Sequence, residues 1–487
     1  IQSRQVSMVT VDEAHCISQW GQDFRPSYLK IVDFLSILPQ RPVVSAFTAT
    51  ATERVRQDVV ESLGLQNPVE IVTGFDRPNL RFDVRKPAKK QEAVLELVQQ
   101  RPGKSGIIYC ATRKKVERVC QLLRDRGIPA TRYHAGLSDQ ERHDNQEDFL
   151  YDRAPVMVAT NAFGMGIDKS NVSYVIHYNM PQSLENYYQE AGRAGRDGAA
   201  AECILLYSPG DVTTAQYLIL HPNGAEEEAA TPEQVQADWH RLEQMVGYCK
   251  TQSCLRGCIL DYFGQSHPAR CGNCGNCDMV LEERDVTREA AQLLDCVEHI
   301  RQHLGYSLGI VTVVRVLMGS RDKRLLQLKL DRLPEYGTLG HVGRERLRRI
   351  ADALEAQGCL HTDSEHGGVS LTAESKGVQS QSRRITIREE AAKPQPLART
   401  APADNPELYN ALKALRLRLA QREHMPAYIV FTNATLEDMA RKAPRTMEEF
   451  CCVSGVGSAK AQRYGKVFLQ AIREFCPEQS QAAPEEP

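Results

Sequence analysis

Val6-Ser-Met-Val-Thr-Val11 runs straight into Asp12-Glu13-Ala14-His15, and the reading of this junction decides the fold. The run is short, apolar and rich in β-branched residues, which predicts a parallel strand covered on both faces. A strand ending in Asp-Glu sets two carboxylates at the carboxyl edge of a sheet, where α/β folds place their ligands. One can hold Mg2+ and the other can activate water; the competing reading is that both merely cap the next helix. Two further runs, Val43–Phe47 and Val69–Val72, alternate with helical stretches such as Glu53–Leu63, so residues 1–73 read as α/β.

Outward from there, a linker spans Gly74 to Pro87. Strand-like runs then recur at Gly106–Cys110, Ala130–Tyr133, Val156–Ala159, Tyr174–Tyr178 and Glu202–Tyr207, with helical stretches between them. This predicts a doubly wound lobe over 74–210. Polar, turn-rich residues 221–233 separate it from a helical, cysteine-bearing segment at 234–280. Residues 286–380 read as three helices followed by two short strands around Glu365-His366-Gly367-Gly368, the pattern of a winged helix. A Pro- and Ala-rich linker is expected over 386–404, a small helical bundle over 405–476, and a disordered Pro/Glu-rich tail over 477–487.

The 487 residues, 42% of them hydrophobic, suffice for three to five domains. No apolar run approaches the ~18 residues that cross a bilayer, and no basic segment followed by an apolar core opens the chain; a cytoplasmic, nucleoid-associated location is expected. Lys+Arg 60 against Asp+Glu 62 gives a net charge of −2, so a basic surface for nucleic acid has to be local. The 15 cysteines are odd in number and several sit in apolar runs such as Gly106-Ile-Ile-Tyr-Cys110, as reduced core thiols do. Because the first residue is Ile1 and a strand follows almost at once, the chain is expected to be a fragment.

A second constellation is Gln189-Glu-Ala-Gly-Arg193-Ala-Gly-Arg196-Asp-Gly198, two arginines in a glycine-rich segment. The planar guanidinium stays charged and pairs bidentately with phosphate oxygens, so Arg193 or Arg196 is the candidate to stabilise a transferring phosphoryl group. A solvated turn is the alternative. Between the two constellations lie Ser45-Ala-Phe-Thr48-Ala-Thr50 and Val158-Ala-Thr160-Asn-Ala-Phe-Gly-Met-Gly166-Ile-Asp168, small hydroxyl- and glycine-rich turns able to offer N–H groups and hydroxyls to phosphate.

Taken in order, Asp-Glu-Ala-His, Thr-Ala-Thr, Ile-Ile-Tyr-Cys, Tyr-His-Ala-Gly-Leu, Ala-Thr-Asn-Ala-Phe-Gly-Met-Gly-Ile-Asp and Gln-Glu-Ala-Gly-Arg-Ala-Gly-Arg-Asp-Gly resemble a superfamily-two helicase of the RecQ family, over essentially the whole chain. The resemblance implies two RecA-like lobes, the first incomplete here, then a zinc-binding helical module, a winged helix and an HRDC bundle. It implies Asp12, Glu13, His15, Gln189, Arg193 and Arg196 as catalytic, and Thr48, Thr50, Gly166 and Asp168 as coupling ATP to motion. Cys16 to Tyr28 looks like the family's aromatic-rich loop, in which Trp20 and Phe24 offer stacking faces and Arg25 a phosphate partner, at ~1–3 kcal/mol per stacked base; core packing is the bland alternative. Thr160 is a further DNA contact by the same resemblance. Arg344, in Arg344-Glu-Arg-Leu-Arg-Arg349, supplies local positive charge to the winged helix, with an ordinary surface helix as the alternative, and Tyr428 in the bundle is a candidate stacking residue, with core packing as the alternative.

The family opens with a phosphate-binding loop and its lysine, whereas only eleven residues precede Asp12. Gly103-Lys104-Ser105 is not that loop: Val98 stands where a glycine is required, and the tripeptide precedes a strand instead of following one. The chain as given is therefore expected to lack ATP-phosphate binding, and residues 1–73 to be its least stable part.

Cys271-Gly-Asn-Cys274-Gly-Asn-Cys277 supplies three thiols at metal-binding spacing, and a tetrahedral site needs one more. Cys249, Cys254, Cys258 and His267 compete for that place; the family places a cysteine ahead of an aromatic-Phe-Gly turn, which Cys254 before Tyr262-Phe263-Gly264 matches. Four thiolates leave no open position, so the Zn2+ is expected to be structural. The expected function is an ATP-dependent 3′ to 5′ DNA helicase of repair and recombination, with ATP and Mg2+, single-stranded and forked DNA, and a single-strand-binding protein or topoisomerase as family-implied partners. An RNA helicase and a DNA-binding module without ATPase activity are the rival readings.

Overall fold

The computed structural model describes residues 6–18, 20, 21, 23–164, 169–220, 231–279, 281–363, 367–390 and 405–475. The chain divides into two compact units, residues 1–278 with 398–487 and residues 279–397.

The larger unit is built on two parallel sheets, one of two strands and one of six. Strands β1 (Met8–Val11) and β2 (Val43–Ala46) pair in parallel, with Met8 opposite Val43 and Val11 opposite Ala46. Helices Pro26–Ser36 and Glu53–Ser62 cover them, and Val11, Ala14, Ile17, Leu35, Val55, Val59 and Leu63 form their core. The strand begins two residues later than the apolar run suggests, and only Val11 in it is buried. The strand expected at Val69–Val72 does not form: Val69 and Ile71 are 87% and 81% exposed. A β-branched run becomes a strand only where a neighbouring edge accepts its backbone groups, and among the described residues none does.

Six strands make the second lobe: β3 (Leu80–Arg85), β4 (Ser105–Tyr109), β5 (Ala130–Tyr133), β6 (Val156–Ala159), β7 (Val172–His177) and β8 (Ala201–Leu206), in the order β3-β8-β7-β4-β6-β5. Every neighbouring pair is parallel, and β4 and β6 are buried along their whole length, as a central strand covered on both faces must be. Alternation sorts the side chains. Ile108, Val158, Ile176 and Ile204 face helices Lys90–Gln99 and Arg113–Asp125 through Val94, Leu97, Val116 and Val119. Ile107, Tyr109, Met157, Val175 and Leu205 face the other way, into a core continued by Leu242, Met245, Tyr248, Leu255, Ile259 and Phe263 of the cysteine-bearing module. That module is therefore part of the lobe's own hydrophobic layer.

Residues 405–475 pack as helices Pro406–Arg422, Ala427–Val430, Asn433–Lys442, Met447–Cys451 and Ser458–Phe475, around Phe431, Phe450 and Phe468. Asn405, Thr432 and Thr446 cap three of them by accepting a backbone N–H, which satisfies donors that a helix start leaves unpaired.

The second unit holds helices Thr287–Leu304, Ile310–Leu317, Lys323–Gln327 and Arg344–Ala356, then a short antiparallel hairpin of β10 (Leu360–Thr362) and β11 (Val369–Leu371). The arrangement is the winged helix expected from the sequence, with residues 364–366 of its turn outside the described set. One pair of strands was not expected: β9 (Leu281–Asp285) lies antiparallel to β12 (Thr386–Glu390), with Thr386 opposite Asp285. The linker assigned to 386–404 thus opens with a strand. Its charged residues masked the period, while Ile385 and Ile387 are buried.

Candidate active site and metal centre

β1 delivers Asp12 and Glu13 to its carboxyl end, and the backbone there is strained. Glu13 sits in the left-handed region (φ 48°, ψ 43°) and starts a 3-10 turn, Ala14–Ile17, without capping it through its side chain. A non-glycine residue held there costs on the order of 1–3 kcal/mol and persists only where the surrounding structure over-determines it. The capping alternative is not what the pair does: Asp12 Oδ1 accepts the Glu13 N–H (2.8 Å), and Glu13 Oε2 is buried without a hydrogen-bond partner.

His15 ties this edge to the next motif. Its Nδ1 shares a hydrogen bond with Thr48 Oγ1 (2.9 Å) and lies 3.4 Å from Glu13 Oε2. Backbone bonds from Ala14 N–H to Phe47 O (2.9 Å) and from Phe47 N–H to Val11 O (2.8 Å) lock the same junction, and the Thr50 N–H reaches Thr48 Oγ1 (3.3 Å). Asp12, Glu13, His15, Thr48 and Thr50 therefore form one cluster. Burial lowers the His15 pKa, against the opposing pull of Glu13 and Asp23, so the imidazole is neutral at pH 7.

The aromatic loop folds over this cluster. The Arg25 N–H closes on Cys16 O (2.9 Å), and its guanidinium donates to Asp23 Oδ2 through Nε (3.1 Å) and Nη2 (2.5 Å). Trp20 is exposed, with the Arg54 guanidinium 3.5 Å from its ring centre, and its carbonyl accepts from Arg241 Nη1 (2.9 Å) on helix Pro232–Lys250. Phe24 is half-buried.

In the second lobe the two arginines have different surroundings. Arg193 folds back and donates from Nη1 to Gly164 O (2.5 Å), whereas Arg196 is exposed. The turn between them is held by Arg77, which donates to Ala194 O (3.1 Å) and Gly195 O (3.0 Å), and by Asn79, which donates to Gly195 O and Ala199 O (both 2.9 Å). Gly195 adopts φ 57°, a conformation that side chains disfavour. Arg77 and Asn79 were not singled out in the sequence; the polar pair around Pro78 was the available signal. Gln189 is half-buried on helix Leu184–Ala191, and Glu190 bonds His177 Nε2 (2.8 Å). Thr160 follows β6 and donates its N–H to Tyr133 O (3.1 Å). Gly166 and Asp168 lie outside the described residues.

Cys254, Cys271, Cys274 and Cys277 converge, their sulfur atoms all within 4.8 Å of one another. Cys254 starts helix Leu255–Tyr262 and accepts the Gly257 N–H (3.3 Å); Cys271 accepts from Asn273 N–H (3.3 Å) and Cys274 from Cys277 N–H (3.4 Å). Burial opposes a charge on Cys277, yet backbone donors and the neighbouring thiols bring its pKa down to about 7. Burial instead pushes the Cys254, Cys271 and Cys274 thiols up; four converging thiols at this spacing fit a tetrahedral structural zinc ion. The competitors are elsewhere: Cys249 is buried in the apolar core, Cys258 meets Thr251, and His267 pairs with Asp261 (3.0 Å).

The centre braces the linker of the second lobe. Arg256, buried, donates to Asp76 Oδ1 (2.5 Å), Arg77 O (2.7 Å) and Leu80 O (2.5 Å). Asn273 donates to Pro78 O (3.0 Å), Phe75 stacks on Phe263 at 4.3 Å, and Cys274 bridges to Phe82 of β3.

Tyr428 is half-buried against the second lobe: the Lys169 ammonium lies 6.0 Å from its ring and bonds Asp152 (2.6 Å). Lys413 of the bundle donates to Gly103 O (2.6 Å), and the Gly-Lys-Ser tripeptide is the turn that leads into β4, which starts at Ser105. Arg344 is exposed at the first position of its helix in the separate unit.

Comparison with known proteins agrees with this anatomy. Residues 2–59 match the family described as DEAD/DEAH box helicase, 89–198 the helicase conserved C-terminal domain, 209–278 RecQ zinc-binding, 281–396 the RQC domain and 405–472 the HRDC domain. The ATP-dependent DNA helicase RecQ of Bacillus subtilis is 40% identical over 476 residues, covering 98% of this chain and 78% of that protein. The proteins of the same name from Pasteurella multocida and Haemophilus influenzae are 37% and 35% identical, each covering 96% of this chain and 73% and 75% of theirs. No described helix is long and apolar enough to cross a membrane.

Proposed function

This chain belongs to the RecQ family of ATP-dependent DNA helicases, and from that premise we propose how its residues divide the work. The protein is an ATP-dependent DNA helicase with a structural zinc, and DNA repair is its context. The observation that carries the division of labour is the continuous contact from Glu13 through His15 to Thr48.

Asp12 is assigned to hold the Mg2+ that accompanies ATP, which supplies charge neutralisation on the phosphates when bound. Glu13 is the general base that takes a proton from the attacking water. Its left-handed backbone at the end of the strand and its Oε2, 3.4 Å from the His15 ring nitrogen, support the assignment. His15 and Thr48 relay the state of that carboxylate to Thr50, and Arg196 meets the developing charge. Trp20 and Phe24 stack on single-stranded bases, with Arg25, Thr160, Arg344 and Tyr428 as further DNA contacts. Translocation 3′ to 5′, association with the nucleoid, and a single-strand-binding protein or topoisomerase as partner rest on family membership.

In the full-length protein Glu13→Gln lowers ATP hydrolysis by about 10²–10⁴-fold and leaves nucleotide affinity unchanged, because the amide keeps the shape and loses the basicity. Steady-state turnover beside fluorescent-nucleotide binding checks this; parallel loss of both would remove Glu13 from the base role. Trp20→Ala removes a stacking face worth about 1–3 kcal/mol, so DNA-stimulated turnover falls roughly 5- to 150-fold while turnover without DNA is spared. Equal loss of both activities rules out the coupling role. Unwinding of matched DNA and RNA forks separates this reading from an RNA helicase.

A further inference from the structure

Outside the four-cysteine centre, one other described group of side chains is arranged to hold a cation, and nothing so far gives it that role. His15 Nε2, Cys16 Sγ and Asp23 Oδ2 lie within 4.8 Å of one another, with Sγ 3.8 Å from the ring nitrogen and 3.8 Å from the carboxylate oxygen. We propose that these three residues form a second metal site, for a borderline divalent cation of the zinc class, and that its occupancy controls the aromatic loop.

The donor set defines the ligand. Imidazole, thiolate and carboxylate together suit zinc or cadmium and not magnesium or calcium, which prefer oxygen alone. Ligands about 2.0–2.3 Å from a tetrahedral zinc stand roughly 3.3–3.6 Å apart, so the observed 3.8 Å pairs need to close by only a few tenths of an ångström. Three protein ligands leave a fourth position for water, unlike the closed four-thiol centre.

The surroundings are those of a metal-binding histidine. Such a ring usually spends its other nitrogen on a carboxylate or hydroxyl that fixes its orientation; here Nδ1 faces Thr48 Oγ1 (2.9 Å) and Glu13 Oε2 (3.4 Å), which aims Nε2 at Cys16. His15 and Cys16 are each 1% exposed, while Asp23 is half-exposed and gives an ion its entry. Asp23 is returned to Cys16 by a turn at Gly21, where any side chain would meet His15 O at 2.6 Å.

Occupancy changes the loop. Binding breaks the Cys16 S–H bond, forms an S–metal bond and releases one proton to solvent, with no change of oxidation state. Asp23 Oδ2 now carries the Arg25 guanidinium. The ion competes with the guanidinium for that oxygen, so the Arg25–Asp23 pair weakens and Asp23 is pinned to the Asp-Glu-Ala-His edge. On the reading that this loop couples DNA to hydrolysis, the ion suppresses stimulation by DNA.

The test uses full-length protein with its four-cysteine zinc in place, titrated with Cd2+ while the thiolate-to-cadmium charge-transfer band and bound metal are followed. Wild type takes up one equivalent more than Cys16→Ser, the Cys16→Ser protein keeps its structural zinc, and a Cys451→Ser/Cys452→Ser variant, which removes two exposed thiols, behaves as wild type. Identical uptake by wild type and Cys16→Ser overturns the site. Added Zn2+ then lowers DNA-stimulated ATPase at least fivefold in wild type and leaves Cys16→Ser unaffected. Uptake that depends on Cys16 without any effect on DNA stimulation keeps the site and overturns the loop's coupling role.

Discussion

Arg196→Ala lowers DNA-stimulated ATP turnover of the full-length protein by about 10³–10⁵-fold, the range an arginine contributes to phosphoryl transfer, with little change in nucleotide affinity. Sequence spacing does not distinguish Arg193 from Arg196, because both follow a glycine in the same repeat. Burial and rigidity differ: Arg193 is half-buried and donates to Gly164 O at 2.5 Å, whereas Arg196 is exposed on a turn whose carbonyls are held by Arg77 and Asn79. On that ground the phosphoryl contact is assigned to Arg196. A factor of 10³–10⁵ corresponds to about 4–7 kcal/mol of transition-state stabilisation. Arg196→Lys stays defective, since an ammonium lacks the planar fork. Arg193→Ala releases the Gly164 turn and raises the DNA concentration needed for half-maximal stimulation. If Arg193→Ala instead costs the larger share of kcat and Arg196→Ala less than tenfold, the two roles are exchanged.

The motor was readable where chemistry and strand pattern coincide. The Asp-Glu junction, five of the six strands of the second lobe and the tight cysteine spacing each carry a local signal strong enough to survive without neighbours; β3 (Leu80–Arg85), with charges between its apolar residues, fell inside the linker expected over Gly74 to Pro87. What failed was decided by partners far along the chain. Val69–Val72 has strand composition and no described edge to pair with, so it stays exposed. Thr386–Glu390 has linker-like charge, and pairs because β9 waits a hundred residues earlier. Arg77 and Asn79 looked like linker polarity; their role exists only because the Gly-Arg turn, more than a hundred residues later, presents bare carbonyls to them. Tyr428 could be read as a stacking face or as core packing, and spacing did not show that its ring lies 6.0 Å from the Lys169 ammonium of the second lobe.

The largest expected loss follows removal of the zinc centre, and it reaches the Gly-Arg turn. Cys254→Ser abolishes zinc binding at this centre, whereas Cys249→Ser, in the apolar core, leaves the centre with its one zinc. Structural zinc supplies an apparent ~10–16 kcal/mol of folding free energy, comparable to the whole stability of a domain, so the module cannot stay folded without it. The damage spreads along a specific path. Arg256 sits in the helix that Cys254 opens, and it clamps Asp76, Arg77 and Leu80. Arg77 in turn holds Ala194 and Gly195, the residues just before Arg196. Losing the metal therefore unlocks residues 75–82, frees the Gly-Arg turn and exposes the lobe face shared with Leu255, Ile259 and Phe263. Hydrogen exchange on Cys254→Ser is expected to accelerate at 75–82 and 192–196, while the helices facing the opposite side of the sheet, Lys90–Gln99 and Arg113–Asp125, remain protected. Arg256→Ala, with the zinc retained, is expected to reproduce the faster exchange at 75–82 and the fall in ATP turnover. If Arg256→Ala leaves both as in wild type, the centre stabilises the module alone and the path to Arg196 does not exist.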